Sequence, residues 1–380
     1  MKAKIKWGVI GSGGIARRRT IPEGLVPAHN AHLVAVYDAS TATNKEVAKE
    51  FCAAAVGSIE ALLAADIDAV YVASPVHAHQ EQVLACARAG KHVLCEKSLG
   101  RSVAEAEAMV AACRQAGVQF GTAFMMRFQT QHQAAAQMMW DGQLGKPAYA
   151  RAQLSCWYPP IPNAWRQDPA LGGGGSLIDM GSHCIDLLEM FFGPAKRVSC
   201  FTRNTVHAYA SEDSAAVLLD FANGALGTVD TFFCIQDGSS KNVLELYGSK
   251  GSILASGTIG QGSQGTMNAY LQASEAGYEA QQARAVGGGL NITPEPRNMY
   301  RAEIEAFSAA LIEGKPNPLS SDIGLHSQKV LAACYESSRK ARVVEVEPDG
   351  GSGSVIFEAS RASRHYGVNP SDPEDHEHSR

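Results

Sequence analysis

The first third of the chain alternates between short apolar runs and segments with helical periodicity, and this pattern restricts the fold more than any other feature. Between the runs lie helical signals, such as the capping box from Ser102 to Glu105 with Gly117 after its last turn. Strands that are apolar on both faces and joined by helices predict a doubly wound parallel sheet. The strand-like runs lie at residues 5–10, 33–37, 69–72, 92–95 and 118–122.

The glycine-rich segment Gly11–Ala16 directly follows the first of these runs and fits the pattern G-x-G-x-x-A. Gly11 permits a tight turn, Gly13 lets the backbone approach a pyrophosphate, and the next helix points its N-terminus at the anion. Asp38 ends the second strand, where a carboxylate accepts hydrogen bonds from adenosine ribose hydroxyls and repels a 2′-phosphate. The segment therefore predicts dinucleotide binding, with NAD favoured over NADP.

After about residue 124, strand-like runs follow one another with few helices between them. They lie near residues 148–157, 196–204, 214–221, 225–234 and 241–247, and helices are expected near 177–192, 298–313 and 325–340. We therefore expect an α/β fold in which residues 1–124 form a Rossmann domain that binds NAD(P). Residues 125–347 should form an α+β domain with a large, mostly antiparallel sheet that binds substrate and mediates oligomerisation. Residues 256–296 should form an irregular excursion, and residues 348–380 a partly disordered extension.

Composition excludes several classes of protein. With 45% hydrophobic and 19% charged residues, the chain is neither disordered nor a coiled coil. A formal charge of −5 without a basic block argues against nucleic acid as a partner, and no apolar run is long enough to span a membrane. The nine cysteines lack C-x-x-C spacing, which argues against disulfides and a zinc site. We expect a cytoplasmic protein.

Two further segments carry candidate catalytic groups. Glu96 and Lys97 stand at the end of the fourth predicted parallel strand, where ligands bind in open α/β sheets, and Glu96 is expected to hold the charge of Lys97. Downstream, four glycines at 172–175 let the backbone approach a ligand or a neighbouring strand closely. Asp179 and His183 follow on one helix face, an arrangement typical of a general base. The spacing also suits a metal pair, but no third ligand is evident, so we expect no metal.

Aromatic and arginine residues precede the glycines. Trp165 and Arg166 follow Trp157-Tyr158 in the sequence. Aromatic rings beside an arginine can bind a pyranose, because its C–H face packs on a ring and its hydroxyls accept hydrogen bonds. The alternative is that these rings pack in the core. Arg127 follows the last Rossmann strand and is placed to enter the same cleft. These observations make Arg127, Trp165 and Arg166 the candidate substrate contacts.

From residue 5 to about 345 these blocks, together with residues 73–79, resemble the glucose–fructose oxidoreductase/inositol dehydrogenase (Gfo/Idh/MocA) family in order and spacing. The resemblance implies an NAD(P)-dependent reaction on a sugar, cyclitol or related polyol, and a homodimer or homotetramer formed through the C-terminal sheet. It places Lys97, Asp179 and His183 at the family's catalytic positions. The expected cofactor contacts are Gly11, Gly13, Gly14, Ile15, Asp38, Ser74, His77 and Glu96.

The chain departs from the family pattern at two positions. Ser98 replaces a proline that often follows a cis bond, so the Lys97-Ser98 bond is either trans with Lys97 shifted, or cis without proline. Val76 stands where many relatives carry an asparagine, which removes a possible hydrogen bond to the cofactor.

The expected proton chemistry follows from ordinary pKa values, about 10.4 for lysine and about 6.5 for histidine. His183 is therefore expected to exchange the proton, Lys97 to stabilise the alkoxide, and Asp179 to orient the substrate or His183. Lys97 as the proton donor remains open. Other functions compatible with the residues are an NAD-dependent glycoside hydrolase, a dihydrodiol or biliverdin-type reductase, and a dinucleotide-binding sensor.

Overall fold

The first third of the chain forms a parallel sheet that confirms the predicted α/β architecture. The computed structural model describes residues 4–262, 265–272 and 289–347, so the predicted extension at 348–380 lies outside the described residues. The sheet has the order β3-β2-β1-β4-β5-β6, and all of its strand pairs are parallel. Its strands are β1 (Ile5–Ile10), β2 (Ala31–Tyr37), β3 (Ala54–Ala55), β4 (Ala69–Val72), β5 (His92–Glu96) and β6 (Phe120–Ala123).

Helices connect these strands and cover both faces of the sheet. A helix with wide turns, Ala16–Leu25, follows the glycine segment, and a short 3-10 turn, Val76–Ala78, precedes α3. Ser102 is the N-cap of α4, since its side chain accepts a hydrogen bond from Glu105 N, but the Glu105 carboxylate accepts from Arg101 N and so does not complete the predicted capping box; Gly117 adopts a φ of +66° after the last turn. The regular helices are α1 (Thr41–Glu50), α2 (Ile59–Leu63), α3 (His79–Arg88) and α4 (Val103–Ala116).

The second half is built on a nine-stranded sheet with the order β14-β13-β12-β11-β7-β10-β9-β8-β15. The pair β7–β10 is parallel and the other pairs are antiparallel, which confirms the mostly antiparallel expectation. Its strands are β7 (Pro147–Ser155), β8 (Ala195–Arg203), β9 (Ser214–Phe221), β10 (Leu226–Phe232), β11 (Val243–Gly248), β12 (Gly251–Ser256), β13 (Thr266–Leu271), β14 (Leu290–Asn291) and β15 (Val344–Glu345).

The expectation of an irregular excursion at 256–296 is wrong where β13 and β14 form. Met267 and Ala269 alternate with polar residues and turn inward, where both are buried, and β13 pairs along its length with β12. Long-range pairing thus creates a strand in a segment whose composition resembles a loop. Part of the excursion lies outside the described residues.

The helices of the second half pack against both sheets. A wide-turned helix, Leu177–Gly181, runs directly into α7, and every residue of α7 is buried. α8 packs against the Ala16–Leu25 helix, and α9 lies against both α4 and β8. Within the described ranges, no helix is long and apolar enough to cross a bilayer. The helices are α5 (Thr130–Trp140), α6 (Pro169–Gly172), α7 (Ser182–Phe192), α8 (Met299–Glu313) and α9 (Ser321–Lys340).

Candidate active site

The glycine segment forms a tight turn at the carboxyl edge of the parallel sheet. Gly11 has a φ of +78°, and a Cβ atom there would lie 2.4 Å from the backbone nitrogen of Ser74, so only glycine fits between β1 and the turn after β4. A Cβ atom on Gly14 would meet nothing within 4 Å. The space above the turn is therefore open to a phosphate group.

Asp38 closes the side of this turn at the end of β2. Its carboxylate accepts hydrogen bonds from Gly13 N and Ser40 N, both at 2.9 Å, and Ile15 is half-buried beside it at the start of the next helix. An open glycine turn, a helix N-terminus and a strand-end carboxylate together fit the phosphates and the adenosine ribose of a dinucleotide.

The turn after β4 positions two more of the expected cofactor contacts. The Ser74 hydroxyl donates to Gln82 Oε1 at 2.5 Å, and His77 is exposed to solvent. The buried ring of His79 lies 2.9 Å from Ser74 O through Nε2 and 3.1 Å from Ser98 O through Nδ1. His79 therefore links the turn after β4 to the segment that follows β5.

The expectation that the Glu96 carboxylate pairs with the Lys97 ammonium group is wrong. β5 ends at Glu96, and the Glu96 carboxylate accepts hydrogen bonds from the Tyr71 hydroxyl and from the backbone nitrogen of Lys97, whereas the Lys97 ammonium group pairs elsewhere. Tyr71 in turn lies 2.9 Å from the Thr20 hydroxyl on the first helix. Burial raises the pKa of Glu96, which matches an interior position.

Lys97 reaches the opposite side and pairs with Asp179. Its ammonium group donates to Asp179 O and to Asp179 Oδ1, both at 2.8 Å, and the two side chains are 11% and 20% exposed. Of the two alternatives stated for the Lys97-Ser98 bond, the structure has the cis form. The Ser98 hydroxyl donates to Ile178 O at 2.9 Å, so both residues join the end of β5 to the helix before α7.

Asp179 holds two cations at once. Arg166 Nε lies 3.1 Å from Asp179 Oδ2, the oxygen that Lys97 leaves free. Burial opposes ionisation of Asp179, but Arg166 and Lys97 outweigh it and keep its pKa well below the ordinary value. Asp179 is therefore a carboxylate at neutral pH, and its two oxygens are committed to the two cations.

His183 lies one turn further along the same helix and is 93% buried against Phe124, with ring centroids 6.2 Å apart. Among the described residues, its Nδ1 atom has no hydrogen-bond partner. Burial lowers the pKa of His183 well below its usual value, and the charge on Lys97 adds to the shift. His183 is thus a neutral imidazole with an unused nitrogen.

The three candidate substrate contacts occupy different positions. The Arg166 guanidinium stacks on the Trp165 ring at 4.1 Å and pairs with Asp179, so it links Trp165 to the Asp179 carboxylate. Arg127, in contrast, is 98% buried and pairs with Asp186, with Nε 2.8 Å from Oδ1. The charge of Asp186 requires this partner in the interior. Arg127 is therefore not a substrate contact in our proposal.

The glycines before Asp179 approach protein groups. A Cβ atom on Gly174 would lie 1.9 Å from the Tyr335 hydroxyl, and one on Gly175 would lie 1.9 Å from Glu212 O. Glu212 Oε1 accepts hydrogen bonds from Gly175 N, Leu177 N and the Tyr335 hydroxyl. Sequence reasoning missed Glu212 and Tyr335, because neither stands in a motif and each is separated from the glycines by more than thirty residues of chain.

The described part of the chain contains no group of three His, Cys, Asp or Glu side chains arranged to hold an ion. The candidate site brings together Lys97, which follows the last residue of β5, with Arg166, Asp179 and His183 from the part of the chain that carries the nine-stranded sheet.

Two family profiles match the chain. One, described as "Oxidoreductase family, NAD-binding Rossmann fold", matches residues 5–124, and the "GFO/IDH/MocA C-terminal domain" matches residues 132–254. A 1,5-anhydro-D-fructose reductase of Ensifer adhaerens is 29% identical, with 90% of this chain and 98% of that protein aligned. A D-xylose 1-dehydrogenase (NADP(+)) of Haloferax volcanii is 30% identical, with 90% and 99% aligned. A solved levoglucosan dehydrogenase complex with NADH and levoglucosan has the same fold, with a TM-score of 0.80, 21% identity and coverage of 91% and 100%.

Proposed function

Because the chain belongs to the Gfo/Idh/MocA family of NAD-binding oxidoreductases, we propose that it transfers hydride between a nicotinamide dinucleotide and an alcohol carbon of a sugar or related polyol. The observation that carries this proposal is the meeting of Lys97 and Asp179 at 2.8 Å, where the carboxyl edge of the parallel sheet faces the helix that bears His183.

The proposed substrate class rests on the relatives and on the side chains beside Asp179. The aligned relatives act on 1,5-anhydro-D-fructose and D-xylose, as their names state. Trp165 and Tyr158 offer ring surface for the C–H face of a sugar, and Arg166 and Lys97 offer donors for its hydroxyls. Trp165 and Arg166 are therefore the proposed substrate contacts.

Lys97 has the role of positioning the substrate oxygen and stabilising negative charge on it. When bound, the nicotinamide supplies or accepts the hydride. An ammonium group fixed between two oxygens of Asp179 is oriented before the substrate arrives, and it can donate to an alkoxide in a largely buried site. Asp179 holds the Lys97 ammonium group in place through this ion pair.

His183 is the proposed proton acceptor for alcohol oxidation and the donor in the reverse direction. Its imidazole is neutral at physiological pH because burial and Lys97 lower its pKa, and a neutral imidazole has one ring nitrogen that can accept a proton. The geometry changes one part of the expected mechanism. Both Asp179 oxygens face cations, so Asp179 acts through Lys97 and Arg166 in this proposal.

Asp38 supports NAD over NADP in our proposal. Its carboxylate stands at the end of β2, hydrogen-bonded to Gly13 N, where a 2′-phosphate would meet a negative charge. The other proposed cofactor contacts are Gly11, Gly13, Gly14, Ile15, Ser74 and His77. Glu96, which is half-buried at the end of β5 and hydrogen-bonded to Tyr71, is also among the proposed cofactor contacts.

The experiment is a spectrophotometric screen of the purified protein at the NADH absorbance band. NAD⁺ and NADP⁺ are each tested with D-xylose, levoglucosan and myo-inositol, and NADH and NADPH with 1,5-anhydro-D-fructose. We expect turnover with NAD(H), and a loss of roughly 100-fold or more in His183→Ala with the NADH dissociation constant unchanged. Absence of turnover on every sugar, or full activity of His183→Ala, contradicts the proposal. Release of phenol from an aryl glycoside with catalytic NAD⁺ would identify a glycoside hydrolase instead.

We also propose that the chain forms a homodimer or homotetramer through the outer face of its nine-stranded sheet. Phe201, Leu218 and Leu226 are 62%, 60% and 57% exposed there, which leaves apolar side chains in water on three adjacent strands. Leu218→Glu should lower the mass measured by light scattering towards that of one chain, while the exposed Val26→Glu change, away from this sheet, should not. An unchanged mass in Leu218→Glu contradicts this interface.

A cytoplasmic location is part of the same proposal. All nine cysteines carry free thiols, the form that a reducing compartment maintains. Fractionation of the source cells with an antibody to the chain tests it.

A further inference from the structure

The segment between β7 and α6 is a compact loop that carries Trp165 and Arg166, and we call residues 159–167 the recognition loop. A turn at its tip is closed by a hydrogen bond from Ala164 N to Ile161 O at 3.2 Å. Pro162 and Asn163 occupy the two central positions, and Asn163 has a φ of +60°. Proline followed by asparagine is the sequence that a type II turn prefers, so the tip has a defined shape from local chemistry alone.

Gln167 joins the two ends of the recognition loop through its side chain. Its Oε1 atom accepts a hydrogen bond from Ile161 N at 3.0 Å, and its Nε2 atom donates to Pro159 O at 2.7 Å. The residue is 92% buried, so both bonds are shielded from water. Its backbone oxygen also accepts from Ser211 N at 3.2 Å, which fixes Gln167 itself to the body of the protein. No motif marked this residue in the sequence.

Arg166, the residue before Gln167, contacts the candidate active site. Arg166 Nε reaches Asp179 Oδ2 at 3.1 Å, and its guanidinium stacks on Trp165. A side chain as long as arginine loses much rotamer freedom when it is held in one geometry, and a fixed backbone reduces that cost. A loop tied at both ends therefore presents Arg166 and Trp165 ready for binding.

We propose that Gln167 is a positioning residue that determines substrate affinity: its side chain holds the recognition loop closed, so that Arg166 and Trp165 face Asp179 before a substrate binds. The inference rests on the proposed function for the identity of the ligand, a polyhydroxylated ring. It adds a residue that touches neither the substrate nor the cofactor and acts only through its neighbours.

The first test compares Gln167→Ala with Asn163→Gly in steady-state kinetics on the sugar that the wild-type protein turns over fastest. The alanine change removes both hydrogen bonds, whereas glycine tolerates the positive φ at position 163 and keeps the turn. We expect KM to rise roughly tenfold in Gln167→Ala, with kcat and the NADH dissociation constant near wild type. Asn163→Gly should match wild type. An unchanged KM in Gln167→Ala overturns the proposal.

The second test does not depend on a substrate. Trypsin cleaves after arginine, and in the closed loop the Arg166–Gln167 bond is protected by the ion pair and by the Gln167 bonds. We expect cleavage at this bond, identified by fragment masses, to be roughly tenfold faster in Gln167→Ala than in wild type or Asn163→Gly, with the melting temperature of the whole protein unchanged. Equal cleavage rates overturn the proposal. If no sugar is turned over, the proposed function fails, and proteolysis alone decides whether Gln167 holds the loop.

Discussion

At the scale of single residues, His183 shows how burial and charge set the state of a group before any ligand is present. The ring is 93% buried, and a lysine ammonium stands in the same site. Both disfavour the imidazolium form, and the nearby Asp179 only partly offsets them. A histidine in this setting stays neutral over a wider pH range than a histidine in water.

The neutral state of His183 predicts how turnover changes as the pH is lowered. Because the pKa of His183 is lowered, the neutral form is lost only when the pH falls through that lowered value, so turnover should stay constant from pH 8 down to about 6.5. The measurement is kcat against pH on the substrate found in the screen. An acid limb with a midpoint at or above about 6.5 would show that His183 is not the titrating base.

Residue types and their spacing made Lys97, Asp179 and His183 candidates, which the fold brings near one another, but they did not indicate the partners of these side chains. The partner of Glu96 was missed because two adjacent opposite charges look like an ion pair in sequence, whereas Glu96 ends β5 and bonds Tyr71 while Lys97, beyond the strand, pairs with Asp179. Arg127 was misread for a similar reason. Its partner, Asp186, lies 59 residues away, and only the packed structure brings the two together.

At the scale of elements, the helix that bears Asp179 and His183 is fixed at its start by Glu212. A single carboxylate oxygen accepts three hydrogen bonds, at 2.9 Å from Gly175 N, 3.0 Å from Leu177 N and 2.9 Å from the Tyr335 hydroxyl. The glycines at 174 and 175 are required because Tyr335 and the Glu212 backbone occupy the space of a side chain. The glycine run thus serves the placement of the helix.

Glu212→Ala should lower the free energy of unfolding by about 3 kcal/mol or more, since it leaves three buried donors without an acceptor. Glu212→Gln keeps an acceptor oxygen in place and should lower the free energy of unfolding by less than the alanine change does. Tyr335→Phe removes one donor and should lower it by about 1 kcal/mol. Urea denaturation at neutral pH measures all three. Equal stability of the alanine and glutamine variants would show that the bonds to Oε1 are not what holds this helix.

Most elements were predictable from periodicity, and the exceptions have a common cause. The strands of the first sheet carry their own signal because both faces are buried, so nearly every residue is apolar. β3 has two residues, and β13 owes its form to pairing with β12 and to inward-facing Met267 and Ala269. β3 is too short to show a periodic pattern, and the alternation in β13 stands in a segment rich in Gly, Gln and Ser, so in both cases the local signal was too weak to predict a strand.

At the scale of the whole molecule, α8 is joined to the first half of the chain by a buried carboxylate. Glu305 accepts a hydrogen bond from Arg301 Nε at 2.8 Å, lies 2.8 Å from His29 Nδ1 and pairs with Arg297. Burial opposes its ionisation, but the hydrogen bonds from Arg301 and His29 outweigh it and lower the pKa of Glu305 from 4.5 to about 2.

The lowered pKa predicts a pH-dependent stability. In the unfolded chain Glu305 takes up a proton near pH 4.5, whereas in the folded protein it does so only near pH 2. The contribution of ionised Glu305 to the free energy of unfolding is therefore complete above pH 4.5 and is lost as the pH falls towards about 2. Glu305→Gln should lower the free energy of unfolding by about 2–3 kcal/mol at pH 7 and by much less near pH 3. Glu336→Gln, which breaks a surface cluster with Lys340 and Arg342, is the matched control and should change little. A pH-independent loss in Glu305→Gln contradicts the assignment.

The domain boundary between residues 124 and 125 stays a prediction. The positions of the last two helices, α8 and α9, affect where the chain can be cut into domains. α8 and α9 come late in sequence, yet Trp7 Nε1 donates to Ser308 in α8, and a Cβ atom on Gly324 in α9 would lie 2.1 Å from Thr122 Oγ1. A fragment ending at residue 124 would expose the surfaces that these helices cover. Chimaeras that exchange nucleotide-binding halves between relatives therefore need to carry residues 299–340 with the transplanted half, since those residues complete its surface.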